Sequence, residues 1–389
     1  MKIGFQIEHL EPARGGAETY VSQFAHELLA AGHEVHLIAG AFGATPKGAF
    51  TWRVMHRGLT RWSRDLNFAR AAERAARQAA CDVVVAVGRT FGADVLQPHG
   101  GTIRGSRRQI LALVRNSFLR ALKDGFDSVN PRIRMQAYIE AGQYAGDPLP
   151  EVVAISRMVR QDLQEFHRVP DERLHLVYNG VDLDRFSPAV CEAKRAEARA
   201  ALGLTEDETC FLIIAHNFRL KGVRELVGAG AQLDRSKPWR IVVVGKASVK
   251  PYLELAEDLG CADRFLFPGA APDVVPLYGA ADVYVQPTWY DPCSLVVLEA
   301  LAAGLPVITT RFNGASELMQ DGREGYVLES PAQTDALADC MQRLLDADRR
   351  RPMRDAAREA VRDHSIQQNF KDMMAVFEKA KARKEAEKK

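Results

Sequence analysis

Two cations and two acids in the second half of this 389-residue sequence stand at spacings that could do chemistry. Arg219 and Lys221, within NFRLKG, directly precede an apolar run predicted to be a helix over 223–233. Positive side chains are unfavourable beside the positive end of a helix by roughly a few tenths of a kcal/mol each. The placement makes sense with a diphosphate between them; a plain surface position is the alternative. Asp291 and Glu299 lie eight positions apart (299 − 291) in DPCSLVVLEALAAGLPV, residues 291–307. Asp291 suits an N-cap and Pro292 the first helical position, so a helix is predicted to open there. From Ser294 to Ala303 only Glu299 is neither apolar nor small, so the helix has no polar face and must be enclosed. A carboxylate enclosed without partners costs several kcal/mol or takes up a proton. Glu299 therefore needs donors from a helix end, a basic side chain or a ligand. Taken alone, the segment also allows a plainer reading, with Asp291 only a cap and Glu299 bonded to backbone.

The surrounding elements must position these groups. ADVYVQP (281–287) reads as a strand, and 306–310 as the turn and strand after the helix. In parallel α/β sheets ligands collect where strands end and helices begin. The N–H groups of Cys293, Ser294 and Leu295 would then face an anion or hydroxyl in that crevice. Further strands are predicted at 211–215, 241–245, 265–269 and 325–328, with helices running on to about Lys379 and a solvated charged end, KAKARKEAEKK. At the other end, 2–7 reads as a buried strand, followed by a loop ending Arg14-Gly15-Gly16. A helix follows with Tyr20, Val21, Phe24, Leu28 and Leu29 on one stripe, then a strand over 35–39. The glycine pair lets backbone approach a phosphate, or marks only a tight turn. No GxGxxG or GK[ST] is present, which argues against a dinucleotide oxidoreductase and a P-loop ATPase.

Between the chain ends lie two basic stretches. From His56 to Arg77 a helix is predicted, with Arg57, Arg61 and Arg64 near its start, giving either a solvated face or contact with a phosphorylated or otherwise anionic acceptor. Residues 102–134 hold eight Arg or Lys against two Asp. There Leu111, Val114, Phe118, Leu122 and Phe126 recur at helical spacing, with Arg108 just ahead of them and Arg115 and Lys123 between them. Such a helix can lie on an anionic membrane or pack on its own domain.

Bulk properties narrow the class. The length suits two domains, and 47% hydrophobic residues suit a globular α/β protein. A net charge of +2 gives no whole-protein affinity for nucleic acid. The six cysteines are scattered, with no CxxC and no His cluster at metal spacing, so reduced thiols and no metal site are expected. No apolar run approaches the length of a membrane span, and MKIGFQIEHLEP is unlike a signal peptide. A cytoplasmic protein is expected.

The acid-x7-Glu pattern of DPCSLVVLEALAAGLPVITT resembles the signature of retaining glycosyltransferase family 4, with Asp291 where most members have Glu. LKGV (220–223), VVGK (243–246), AEDLG (256–260) and GAADVYVQP (279–287) are similar to the lipopolysaccharide-core glucosyltransferases that add the first glucose. The resemblance implies an α/β GT-B architecture, two Rossmann-like domains facing each other across a cleft. Residues 1–185 would bind the acceptor, 186–365 the nucleotide sugar, and 366–389 would be a helix crossing back to the first domain plus a charged tail. YNGVD (178–182) looks like the family linker. By the same resemblance Arg219 and Lys221 neutralise the donor diphosphate, and Glu299 bonds the ribose. Asp291 and the N–H groups of Cys293, Ser294 and Leu295 orient the sugar. Gly15 and Gly16 lie beside the diphosphate, and the loop 270–274 meets the nucleobase. His99 faces the donor sugar, unless it is structural.

The implied reaction is retaining hexosyl transfer, from UDP-glucose to a lipopolysaccharide-core or other envelope glycan or glycolipid acceptor. It needs no cofactor or metal, and the basic stretch 102–134 attaches the enzyme peripherally to the inner face of the membrane. A nucleotide-sugar epimerase of the same architecture and a catalytically silent nucleotide-sugar binder are the alternatives.

Overall fold

The computed structural model describes residues 1–11, 15–55, 57–114 and 116–387. Arg14, His56 and Arg115 lie outside the described residues. The chain divides into two compact units, Met1–Asn179 with Asn369–Lys389, and Gly180–Gln368. The division falls within the YNGVD stretch, ahead of the boundary expected at residue 185.

Among the described residues the first unit runs β1 (Lys2–Leu10), α1 (Gly16–Ala30), β2 (Glu34–Phe42), β3 (Phe50–Arg53), α2 (Arg61–Ala79), β4 (Val83–Ala86), β5 (Val95–Leu96), α3 (Ile103–Ala112), α4 (Ser117–Val129), α5 (Pro131–Gln143), β6 (Glu151–Ala154), α6 (Arg157–His167) and β7 (Leu174–Leu176). The strands form one parallel sheet in the order β3-β2-β1-β4-β5-β6-β7. A parallel sheet must be covered on both faces. Tyr20, Val21, Phe24 and Leu28 of α1 pack on one face with Met373, Val376 and Phe377 of the last helix. Phe68, Ala72 and Ala76 of α2 pack with Ile38 and Val84 on the other.

The single helical stripe expected across 102–134 is three helices. Asn116 caps α4 through Leu119 N–H, and Asn130 caps α5, with Pro131 at its first position. Local capping thus outweighs the apolar period. No residue of α4 is buried, and Phe118, Phe126 and Val129 are each about two-thirds or more exposed. Among the described residues no helix is long and apolar enough to cross a membrane.

The second unit runs α7 (Pro188–Glu192), α8 (Arg195–Leu202), β8 (Thr209–Ile214), α9 (Val223–Gly230), β9 (Trp239–Val244), α10 (Lys250–Asp258), β10 (Phe265–Gly269), α11 (Val275–Ala280), β11 (Val283–Gln286), α12 (Leu295–Ala302), β12 (Val307–Thr310), β13 (Gly325–Leu328), α13 (Thr334–Arg343), α14 (Ala347–Ala360) and the first turn of α15 (Ile366–Ala386). Its parallel sheet has the order β10-β9-β8-β11-β12-β13. The core gathers Phe211, Ile213, Leu226, Trp239, Val243 and Val285. The two sheets make this a doubly wound α/β protein with two Rossmann-like units.

One expected boundary is overturned. α12 begins at Leu295 with Ser294 as N-cap, not at Asp291. Asp291 instead bridges to the loop after β12: its N–H donates to Phe312 O (2.9 Å) and its carbonyl accepts from Gly314 N–H (2.8 Å). Pairing with that loop satisfies the backbone that a helical start would have left open.

Candidate active site

In the second sheet the order reverses between β8 and β11, and chains leaving such a pair diverge to open a crevice at their C-terminal ends. The loop after β8 carries Arg219 and Lys221, and the loop after β11 carries Asp291. Trp289 N–H donates to Leu220 O (2.8 Å), and the Thr288 hydroxyl lies 3.1 Å from the same carbonyl. Gly222, the N-cap of α9, has φ 78°, and a Cβ there would collide with the Pro287 carbonyl. Only glycine allows both the left-handed backbone and this close approach.

The interlocked loops bring Lys221 and Asp291 together. Lys221 Nζ donates to Asp291 Oδ2 at 2.6 Å and lies 3.4 Å from Tyr290 O. Both side chains are partly open to solvent. Asp291 Oδ2 also accepts from Gln286 Nε2 (3.1 Å). Gln286 is fully buried, and its Oε1 is met by Ser294 Oγ (3.2 Å) and Tyr284 Oη (3.1 Å). A fixed polar chain therefore runs from the sheet to the acid beside the lysine. Arg219 is exposed on the same loop, with no ion-pair partner among the described residues. His216, at the start of that loop, is held below its ordinary pKa by burial and by the nearby Lys246 and Lys221. Cationic character is thus concentrated at this end of the sheet.

The N–H groups expected to face a ligand are rearranged by the later helix start. Cys293 is buried ahead of the helix, and Ser294 N–H is donated to Asn313 Oδ1 (3.3 Å). Of the three, only Leu295 lies in the first turn. Ser294 makes no side-chain cap bond, because its hydroxyl turns to Gln286, so that turn has no side-chain cap.

Glu299 lies one turn further along α12. Its Oε2 accepts from Tyr278 Oη at 2.7 Å, so a tyrosine on α11 supplies the donor that sequence could only require. Burial pushes its pKa up to about 7, against the Tyr278 hydrogen bond and the Arg185 charge, which favour the carboxylate. Its Oε1 has no hydrogen-bond donor among the described residues. The group is partly accessible, so a ligand hydroxyl can reach it.

Gly15, Gly16 and His99 belong to the first unit. Gly15 is the extended N-cap of α1, at φ −179°, and Gly16 is its first residue. Among the described residues a Cβ at Gly15 would meet only the Glu18 carboxylate. His99 follows β5, its ring 4.5 Å from that of Tyr20 on α1. Burial pushes its pKa down to about 3, so the imidazole is neutral at physiological pH. Its Nε2 is buried with no hydrogen-bond partner among the described residues. Among those residues no group of His, Cys, Asp and Glu is arranged to hold a metal ion.

Gln286, Tyr278 and Asn313 were not identified by sequence reasoning. The one signal for Gln286 was an amide ending an otherwise apolar strand, and nothing local marked the other two.

Comparison with known proteins decides the family. Residues 194–364 match the family described as Glycosyl transferases group 1, and residues 14–185 match Glycosyltransferase Family 4. The chain belongs to these glycosyltransferases. It is 32% identical over 227 residues to a D-inositol 3-phosphate glycosyltransferase of Mycobacterium sp. (strain KMS), covering 56% of this chain and 48% of that protein. This glycosyltransferase chain thus spans about half the length of the first curated relatives it matches. It is 25% identical over 370 residues to the lipopolysaccharide glucosyltransferase WaaG of Escherichia coli (strain K12), covering 94% of both. The crystal structure of WaaG, a glycosyltransferase involved in lipopolysaccharide biosynthesis, superposes with a TM-score of 0.83 at 22% identity, covering 96% of this chain and 98% of that one. Anabaena HepE in complex with UDP-glucose gives 0.72 at 19% identity, covering 97% and 99%. The structural likenesses show the two-unit GT-B fold.

Proposed function

We propose that this protein is a retaining, metal-independent hexosyltransferase that moves glucose from UDP-glucose to a lipopolysaccharide-core or other envelope glycan. The observation that carries the reading is the Lys221–Asp291 pair at the switch point of the second sheet. An ammonium has three donors. Asp291 and Tyr290 O lie within reach of two, which leaves one for a phosphate oxygen, with Arg219 on the same loop as a second cation. Negative charge grows on the diphosphate as the glycosidic bond breaks, and fixed cations there stabilise the transition state. Glu299 Oε1 accepts from ribose hydroxyls, and Asp291 orients the sugar. The sequence similarity to WaaG over nearly the whole chain favours glucose and a core acceptor.

In this mechanism the bond from sugar C1 to the diphosphate oxygen breaks with its electron pair leaving on UDP. The acceptor oxygen bonds to C1 on the same face, and its proton passes to the departing phosphate. No protein nucleophile is needed, and Arg219, Lys221 and the helix start supply the charge a metal would otherwise provide. The exposed apolar face of α4 attaches the protein to the cytoplasmic leaflet, with the nearby Arg107, Arg108 and Lys123 already paired to Asp124, Glu165 and Asp127.

Radiolabelled UDP-glucose and a core-lipid extract test the reading. Transfer of label to lipid is expected. Free epimerised sugar would identify an epimerase, and binding without turnover a silent binder. EDTA should leave the rate unchanged; loss restored by magnesium refutes the metal-free mechanism. Co-sedimentation with anionic vesicles at low salt is expected, and its absence removes the membrane attachment.

A further inference from the structure

A cleft of about 450 Å³ in the first unit lies where the start of α2 meets the start of α5, lined by Arg61, Trp62, Asn130, Arg132, Ile133 and Gln136. Its volume falls within the range of about 300–1,000 Å³ typical of small-ligand sites. α2 follows β3, so the cleft opens at the C-terminal edge of the sheet, the edge at which Gly15, Gly16 and His99 also stand.

The lining has a definite chemistry. Arg61 is exposed, with no ion-pair partner among the described residues. Arg132 donates through Nε to Asp65 Oδ2 (3.1 Å), which also accepts from Gln136 Nε2 (3.1 Å). Asp65 therefore holds the arginine stem while its two terminal nitrogens remain for a ligand. Two guanidinium groups against one carboxylate leave the cleft cationic, and guanidinium forks suit phosphate oxygens. Trp62 is 39% exposed, a flat apolar surface of the size of a sugar ring. Gln136 Oε1 remains an acceptor for hydroxyls. The caps of both helices are already used, Thr60 by Ser63 N–H and Asn130 by the N–H groups of Arg132 and Ile133, so recognition rests on side chains.

We propose that this cleft binds a phosphorylated sugar of the acceptor, with Arg61 and Arg132 on the phosphate and Trp62 against the ring. The proposal rests on the reading of the first unit as the acceptor unit. Anionic phospholipid offers the same phosphate, and α4 with its exposed apolar face ends at Asn130, so the test separates the two sources.

Fluorescence of the 389-residue protein, with Trp62→Phe as the blank, reads the cleft without donor or turnover. Saturable quenching by glucose 6-phosphate is expected. Glucose, inorganic phosphate and phosphatidylglycerol vesicles should act at least about tenfold more weakly, a difference of about 1.4 kcal/mol. The Arg61→Ala/Arg132→Ala double variant should lose the response while keeping its affinity for UDP. Equal quenching by inorganic phosphate, a response to vesicles alone, no saturable response, or one the double variant retains would overturn the proposal. Failure of UDP to bind bears instead on the donor site. Where transfer is measurable, the double variant should raise KM for the phosphorylated acceptor and leave that for the phosphatase-treated one unchanged.

Discussion

Lys221 reaches two acceptors of its own chain, the Asp291 carboxylate and the Tyr290 carbonyl. Asp291 keeps Gln286 when the lysine is gone, so Lys221→Ala should fold while losing the charge that the proposed mechanism sets against the leaving diphosphate. Turnover is expected to fall at least about a hundredfold, equivalent to about 2.7 kcal/mol of transition-state stabilisation, with little change in melting temperature. Near-normal steady-state rates would remove the lysine from the mechanism. Glu299 gives a pH signature. Its folded-state pKa is raised from 4.5 to about 7, so the fold favours the protonated form. The stability this gives is full below pH 4.5, declines as pH rises through the two values, and is absent above about 7. With ribose hydroxyls donating to the carboxylate, as proposed, UDP affinity should rise as pH climbs through about 7, and Glu299→Gln should flatten that rise. Calorimetric titration across this interval checks the sign; affinity that is flat or falling in the wild type excludes the ribose contact.

At the scale of elements, the loops after β8 and β11 work as one part. Gly222 at φ 78° lets the first press on Pro287 of the second. Gly222→Ala should destabilise the protein by about 1–3 kcal/mol through backbone strain, and should lower activity further by parting Lys221 from Asp291. Urea unfolding together with steady-state kinetics reads both effects, and a variant as stable and active as wild type refutes the interlock. The strand and helix periods were legible here, as were the two cations before α9. The start of α12 was misread because Asp291 and Pro292 form a sound local cap. The competing bonds come from Phe312 and Gly314, some twenty residues away in sequence. The stretch 102–134 was misread in the opposite sense, since its apolar spacing suggested continuity while Asn116 and Asn130-Pro131 were strong local stops.

At the scale of the molecule, α15 begins in the second unit and completes the core of the first. Met373, Val376 and Phe377 bury their side chains against the first sheet. Glu151, fully buried at the start of β6, is paired with Lys379 and Arg383 of the same helix as well as Arg173 and His175. Burying three such apolar side chains contributes about 5–9 kcal/mol, and a whole domain is stable by only about 5–15 kcal/mol. Truncation after Gln368 should therefore abolish cooperative unfolding of the first unit. A truncated chain that kept a sharp calorimetric transition for each unit would show that α15 is dispensable.

The sequence by itself determined the two parallel α/β units, the pair of cations before α9 and the enclosed acid at Glu299, because periodicity, capping and the cost of burying charge act within a few residues of chain. Tertiary structure alone decided that Gln286 and Lys221 share Asp291, that Tyr278 serves Glu299, and that Trp62 and Arg132 meet in one cleft. Those pairings join residues from separate loops and helices. Local rules can demand a partner for a buried polar group, but only the packed chain selects which one arrives.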